Sequence, residues 1–244
     1  MSNRFKQTSN PIFKSDAFDS VFTGSDSASM TVGGTVNKTL IMTFLVLGSA
    51  IYTWSNPSSM YLWVGLIGGL IAALVTAFKP TAAPVSAPIY ALLEGMFLGT
   101  LSVQFASIYN GIVFQAITLT IGTLFAMLFL YKTGIIKVTQ KFRMGVMAAT
   151  GGIALFYMIN IIMSFFGMAF FTIEGASLLT IGISLAIVVV AALNLVLDFD
   201  FIDRAAKANS PKYMEWFAAF GLMVTLIWLY IELLRLLAML SSRD

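Results

Sequence analysis

The stretch LLTIGISLAIVVVAALNLVL, residues 178–197, contains no charged residue. About 20 apolar residues in a helix span the 30 Å hydrocarbon core of a bilayer, and a helix satisfies its own backbone groups there. The stretch is therefore predicted to be a membrane-spanning helix. Asp198, Asp200 and Asp203 follow it directly. They are either the solvated end of this helix or an ionisable site within the membrane.

The composition of the whole chain agrees with this interpretation. Of its 244 residues, 59% are hydrophobic and 10% are charged, with a mean hydropathy of +0.90, whereas soluble domains carry about 25% charged residues. We therefore expect an all-α, polytopic membrane protein. The chain has no cysteine and no histidine, which excludes disulfides, thiolate chemistry and the commonest metal ligand. Proton or ion chemistry therefore depends on Asp and Glu.

Seven apolar segments are separated by Pro, Gly, Asn and charged residues. They cover residues 38–54, 60–78, 86–107, 111–131, 144–168, 177–200 and 213–240. Residues 1–37 are polar and are expected to form a cytoplasmic N-terminal arm before a seven-helix transmembrane domain at residues 38–244. Small residues recur at a spacing that lets membrane helices approach closely, at Gly65 and Gly69, at Gly95 and Gly99, and at Gly145, Ala149 and Gly152.

The basic residues predict the orientation of the bundle. With the arm in the cytoplasm, all but Arg235 and Arg243 of the 14 Lys and Arg residues lie on the cytoplasmic side, as the positive-inside rule requires of a plasma membrane protein. Seven spans then place the C-terminus outside. The same rule accounts for the net charge of +3, so nucleic-acid binding is not expected.

Several polar residues fall inside the predicted spans. A charge at the bilayer centre costs about 2.5–3.5 kcal/mol, so such residues usually face the bundle interior and mark ion or proton paths. The set consists of Glu94 in the third span, Asn160 in the fifth, Asn194, Asp198 and Asp200 in the sixth, and Glu215, Glu232 and Arg235 in the seventh.

Asp198 is the first candidate of this set. The sixth and seventh spans form an antiparallel hairpin, and a midpoint near Ala206 brings Asp198 level with Glu215. Two carboxylates held close in a partly dry site share one proton, which makes a pH-sensitive latch without histidine. Asn194 lies one turn from Asp198 on the same helix face, which favours an inward Asp198.

The other two acids of this stretch are expected to be interfacial. Asp200 is about 200° from Asp198 around the helix, so the two cannot face the same interior seam, and Asp200 is expected to face water. In the alternative interpretation, all the acids here form a solvated cluster that Arg204 and Lys207 balance.

The remaining acids have two interpretations each. Glu232 and Arg235 are three residues apart, a spacing that allows an ion pair within one helix, expected near the outer boundary. Glu94 lies about 12 Å into its helix. It either joins the acidic cluster or accepts from a donor such as Asn160.

Several stretches resemble the Bax inhibitor family, also called the transmembrane Bax inhibitor motif family. They are YALLEGMFLGTLS, YKTGIIKVTQKFRMGV, LVLDFDFID and LYIELLRLL, together with NPIF at residues 10–13 and MT at residues 30–31. The last two are similar to the opening of a bacterial branch of the family. The likeness covers essentially the whole chain.

This resemblance implies a bundle in which the other six helices surround the last one. It also implies a pH-sensitive calcium leak controlled by paired carboxylates on the sixth and seventh helices. The acid of the sixth helix corresponds to Asp198. The acid of the seventh corresponds to Glu215 or to Glu232, and both are Glu where the family has Asp.

Two functions remain open at this point. The first is an ion leak for Ca²⁺ or protons, gated by Asp198 and a glutamate of the last helix. The second is a non-transporting regulator that binds other membrane proteins, for example a membrane protease. An intramembrane hydrolase lacks a nucleophile and a base, so no enzyme activity is expected. Beyond membrane lipids and Ca²⁺, no cofactor is expected.

Overall fold

Seven long helices make up most of the computed structural model, which describes residues 29–167, 173 and 177–242. Each is long and apolar enough to cross a membrane. The described residues contain no β-strand, so the predicted all-α bundle of seven spans is confirmed. In chain order the helices are α1 (Val32–Ser55), α2 (Ser59–Phe78), α3 (Ala83–Ile108), α4 (Ile112–Lys132), α5 (Gln140–Phe165), α6 (Leu178–Lys207) and α7 (Met214–Ser241).

The last helix, α7, occupies the centre of the bundle. In its most apolar stretch 67% of the residues are buried, against 6–33% in the corresponding stretches of the other six helices. It packs against α1, α3, α4 and α6. This arrangement is the one that the family resemblance implies, and any charged residue of α7 must therefore be accommodated largely by protein rather than by lipid.

Hydroxyl side chains fix the start of several helices. The side chains of Thr31, Ser58, Thr139 and Ser177 accept hydrogen bonds from first-turn amides of α1, α2, α5 and α6. These caps satisfy amides that a helix leaves open. Because Thr31 provides the cap, α1 begins at Val32, six residues before the expected start of the first span. The expected arm otherwise falls mainly on residues 1–28, which lie outside the described residues.

The end of α6 differs from the expectation. The apolar pattern ends near residue 200, but the helix continues to Lys207. Two ion pairs at i,i+4 spacing support this last part, Arg204 with Asp200 at 2.8 Å and Lys207 with Asp203 at 2.7 Å. The hairpin turn therefore lies at residues 208–213 rather than near 206. Asp198 lies nine residues, about 14 Å, before the end of α6.

Glycines allow close packing in the first half of the bundle. A Cβ atom at Gly95 of α3 would lie 2.3 Å from the Val46 carbonyl oxygen of α1, and one at Gly65 of α2 would lie 2.6 Å from the Leu93 carbonyl oxygen of α3. The expected close approach is thus present for these two helix pairs. It is wrong for Gly145 and Gly152 of α5, which have nothing within 4 Å because this side of α5 faces away from the bundle.

This packing predicts different outcomes for two glycines. Gly95→Ala should force α1 away from α3 and lower the free energy of unfolding by about 1–3 kcal/mol, as overpacking does. Gly48→Ala in α1 is the matched control, since nothing lies within 4 Å of its added methyl group, and it should leave stability unchanged or raise it. Unfolding in detergent measures both, and equal effects would contradict the described helix contact.

Candidate functional site

Ionisable groups lie at three levels around α7. Glu215 is in its first turn, Thr225 faces Asp198 of α6 in the middle, and Glu232 lies nearer the other end. Along the helix, Thr225 is about 15 Å from Glu215 and about 10 Å from Glu232. Each level has its own set of partners.

Glu215 joins the start of α1 to the start of α7. Its side chain is fully buried. Its Oε1 atom accepts hydrogen bonds from the backbone N–H and the hydroxyl group of Thr31, both at 3.0 Å, and from Nζ of Lys212 at 2.8 Å. Nζ of Lys38 lies 3.8 Å from Oε2. An anion at the N-terminus of α1 is also favoured by the helix dipole.

The backbone around Glu215 is fitted to this contact. A Cβ atom at Gly34 would lie 1.9 Å from Oε1 of Glu215, so glycine is required there. The N–H group of Met30 donates to the Ser210 carbonyl oxygen at 2.7 Å, and Met30 is buried. We call residues 29–34 together with the turn at 208–215 the N-terminal clasp. Lys212 within the clasp, Lys38 beside it and the hydrogen-bond donors of Thr31 give Glu215 a structural role.

Asp198 has a very different environment. The Thr225 side chain of α7 is placed to hydrogen-bond with its carboxyl group. Oδ2 of Asp198 is buried and has no hydrogen-bond partner among the described residues. Oε2 of Glu215 is also without a hydrogen bond there, but it has Lys38 beside it. No ion pair with Asp198 is found in the described part of the chain, so its charge has no local compensation.

Asp200 faces the opposite side of α6. Its Oδ2 atom accepts from Arg143 of α5 at 2.9 Å and from Arg204 at 2.8 Å. The side chain is 14% exposed, so it is mostly covered by its partners rather than open to water as expected. Asp203 pairs with Lys207 near the helix end. Arg204 and Lys207 thus balance these two acids as the alternative interpretation of the sequence expected, but Asp198 is not part of that cluster.

Asn194 links α6 to α5. Its amide donates to the hydroxyl group of Thr150 at 2.8 Å and to the Val190 carbonyl oxygen at 2.9 Å. It is half-buried and lies one turn before Asp198. The polar face predicted for this part of α6 therefore exists, and Asn194 uses it to contact α5.

Glu232 forms the third level, together with aromatic residues. It is 2% exposed. Its Oε1 atom accepts from the Tyr157 hydroxyl group of α5 at 2.7 Å and from the Trp228 indole at 3.2 Å, and its Oε2 atom lies 3.5 Å from Arg235. Arg235 also donates to the Tyr157 oxygen and lies over its ring. The predicted Glu232–Arg235 pair is present, and a tyrosine bridges it to α5.

Glu94 has no hydrogen bond or ion pair to these groups among the described residues. Glu94 is half-buried in α3 and packs against α2, where a Cβ atom at Gly69 would lie 2.9 Å from its Oε1. Asn160 is half-buried in α5, three residues beyond Tyr157. Glu94 therefore belongs to the α2–α3 contact rather than to the acids around α6 and α7.

The expected contact between Asp198 and a glutamate of the last helix is not observed. Within the described residues, no hydrogen bond connects Asp198 to Glu215 or to Glu232. The reason is the extra length of α6, which shifts its register against α7 and brings Asp198 level with Thr225. Glu215 is instead level with the start of α1.

The key partners of these acids are uncharged residues. Thr31, Tyr157 and Thr225 are common in membrane proteins, and the sequence does not mark any of them as the partner of an acid. Thr31 belongs to the MT at residues 30–31 that resembles the family, and Tyr157 lies seven residues after Thr150 and fourteen after Arg143, a spacing that puts these three residues of α5 on one helix face.

The described residues contain no group of three or more His, Cys, Asp or Glu side chains that could hold a metal ion. Ca²⁺ takes six to eight oxygen ligands. The acids described above are dispersed over several levels, and most have basic or hydroxyl partners. A tight Ca²⁺ site is therefore not formed by this part of the chain.

The fold and the buried acids define a polytopic helical membrane protein with ionisable groups around a central helix. The family described as Bax inhibitor 1 like matches residues 10–242, which is nearly the whole chain. The chain belongs to this family of membrane proteins. Comparisons with curated proteins and with solved structures gave no match.

The N-terminal clasp predicts a large effect of one substitution. Glu215→Ala removes a buried acceptor of three hydrogen bonds, so the free energy of unfolding should fall by about 2–3 kcal/mol. Hydrogen exchange at the Thr31 and Gly34 amides should also become faster. Asp203→Ala is the control, because it breaks an exposed i,i+4 pair, which contributes little. Similar losses in both variants would contradict the structural role of Glu215.

Proposed function

We propose that the protein is a pH-sensitive leak pathway for Ca²⁺ or protons, and that Asp198 is its switch. The observation that supports this is the buried Oδ2 atom of Asp198, which has no hydrogen-bond partner in the described part of a membrane bundle. An ionisable group inside a membrane usually has a function. A buried polar atom without a partner likewise calls for an explanation.

The physical basis of the switch is the cost of a charge in a dry environment. Protonated, the Asp198 carboxyl group is neutral and fits between α6 and α7 beside Thr225. Ionised, it has no cation nearby among the described residues, and a buried charge without compensation costs several kcal/mol. Water or a cation entering the bundle would relieve that cost. Ionisation of Asp198 therefore favours the open pathway.

The position of α7 explains how a local change can spread. Because α7 packs on α1, α3, α4 and α6, a shift between α6 and α7 at Asp198 alters contacts throughout the bundle. The N-terminal clasp holds the start of α1 against the start of α7, so the proposed movement lies away from Glu215.

The proposed ion is one that binds weakly. A leak needs a route with brief occupancy, whereas tight Ca²⁺ binding needs a cage of six or more oxygens. The acids of the described residues are suited to brief occupancy by an ion. We further propose that the protein lies in a bacterial inner membrane with the start of α1 in the cytoplasm, on the basis of the positive-inside pattern. We also propose that its activity is transport rather than catalysis.

Flux measurements on reconstituted protein test this proposal. Liposomes containing the protein and a Ca²⁺- or proton-sensitive dye should leak faster as the pH rises, because Asp198 loses its proton. The change should extend over about two pH units, as expected for one titrating group. Asp198→Asn cannot ionise and should give a flux that no longer depends on pH.

Asp203→Asn is the matched control, since it changes the same chemical group five residues further on, where Asp203 pairs with Lys207 near the end of α6. It should keep the pH dependence of the wild type. Flux no greater than that of empty liposomes, for both ions and at every pH, would contradict the proposal. The expected alternative would then be a non-transporting regulator, which is tested by capture of membrane proteins with and without residues 1–28.

A further inference from the structure

The helix α5 is attached to the bundle differently from the other six. In its apolar stretch 6% of the residues are buried, the lowest share of the seven helices, and Val146 is its one buried residue among those described. Its close helix neighbour is α6. Tight apolar packing therefore contributes less to the position of α5 than to that of any other helix.

Polar contacts hold α5 instead, and they occur at a regular spacing. Arg143, Thr150 and Tyr157 are seven residues apart and lie on one face of the helix. Arg143 donates to Asp200 at 2.9 Å, Thr150 accepts from Asn194 at 2.8 Å, and Tyr157 donates to Glu232 at 2.7 Å. We call this set of six residues the polar seam. It extends about 21 Å along α5, which is most of a bilayer core.

Polar contacts elsewhere in the described bundle, such as Thr53 with the Met96 carbonyl oxygen, Thr76 with Ser86 and Ser102 with Tyr230, join helices that also pack closely. The α1–α3 and α2–α3 contacts depend on glycines and backbone approach. Hydrogen bonds between membrane helices contribute about 0.6 kcal/mol each on average. Three such contacts can exchange with water at a low cost. Exchange with lipid would leave the polar groups unsatisfied, so α5 can separate from α6 and α7 only if water enters the seam.

The switch residue lies beside this seam. Asp198 is one turn from Asn194 on the same face of α6, at a depth between Asn194 and Asp200. Its depth is thus between the Arg143 contact and the Tyr157 contact. Water that enters to solvate an ionised Asp198 therefore has Asn194 of the polar seam one helical turn away on the same face of α6.

We propose that the polar seam between α5 and the α6–α7 pair is the hydrated route of the pathway, and that α5 is the helix that moves to open it. The Arg143–Asp200 pair closes the route near the start of α5, and Tyr157, held by Glu232 and Arg235, closes it near the other end. This inference rests on the leak proposed above, and it adds where the ions pass and which element gates them.

Cysteine accessibility tests the hydration of the seam without a flux measurement. The chain has no cysteine of its own, so an introduced one is the single thiol. Thr150→Cys lies in the seam, and Leu155→Cys is a lipid-facing control on the same helix, at a position that is 56% exposed. With a charged, membrane-impermeant methanethiosulfonate, Thr150→Cys should react about tenfold faster or more, because the reactive thiolate forms in water. Equal rates would overturn the proposal.

A reversible tether tests the movement of α5. A short bifunctional thiosulfonate that joins Thr150→Cys to Asn194→Cys should abolish the flux, and reductant should restore it. The control pair is Thr76→Cys with Ser86→Cys, since the two hydroxyl oxygens are 2.7 Å apart between α2 and α3. That tether should leave the flux unchanged. Full flux through the tethered seam, with the tether confirmed by mass, would overturn the inference.

The two proposals fail in different ways. If the wild type gives no flux while Thr150→Cys still reacts much faster than Leu155→Cys, the leak is contradicted and the hydrated seam stands. If the wild type leaks but Thr150→Cys reacts no faster than the control, the leak stands and its route lies elsewhere in the bundle.

Discussion

The structure depends on one constraint, which is that α7 carries ionisable groups through the centre of a bundle where little water can compensate them. Each group therefore requires a partner from a neighbouring helix. Glu215 has the start of α1 and two lysines, and Glu232 has Tyr157 of α5 and Arg235. These partners explain why helices that are distant in sequence meet at α7. Asp198 of α6 is the exception, with Thr225 as its neighbour and no cation in the described part of the chain.

The membrane-spanning segments could be predicted from the lengths of the apolar runs and the positions of the charged residues, because each span must cover about 30 Å without help from water. The register between two neighbouring spans could not be predicted in this way. The prediction for Asp198 depended on where α6 ends, and the apolar pattern stopped near residue 200 while two surface ion pairs continued the helix to Lys207. The midpoint of the hairpin therefore lies between residues 210 and 211 instead of near Ala206, and each residue of this shift moves the level partner on α7 by two residues. That difference replaces a contact with Glu215 by one with Thr225.

The partners of the acids illustrate a second limit. A buried carboxylate predicts that some donor is present, but the donor can be a tyrosine, a threonine or a backbone amide, and these are too common to be recognised. Small-residue patterns were equally ambiguous. Gly95 allows a close helix contact, whereas Gly145 and Gly152 have the same spacing and face open space. Spacing shows which residues share a face, and a neighbouring helix decides what that face does.

The contrast among the three acids bears directly on function. Glu215 and Glu232 have partners that balance a negative charge, so a change in their protonation would break contacts that join helices. Such groups serve stability and are poorly suited to repeated switching. Protonation of Asp198 breaks no ion pair among the described residues, and no cation there stabilises its ionised form. Because a switch needs two states of comparable free energy, the least compensated acid is the one best suited to that role, and α5, the helix held mainly by exchangeable polar contacts, is the element best suited to respond.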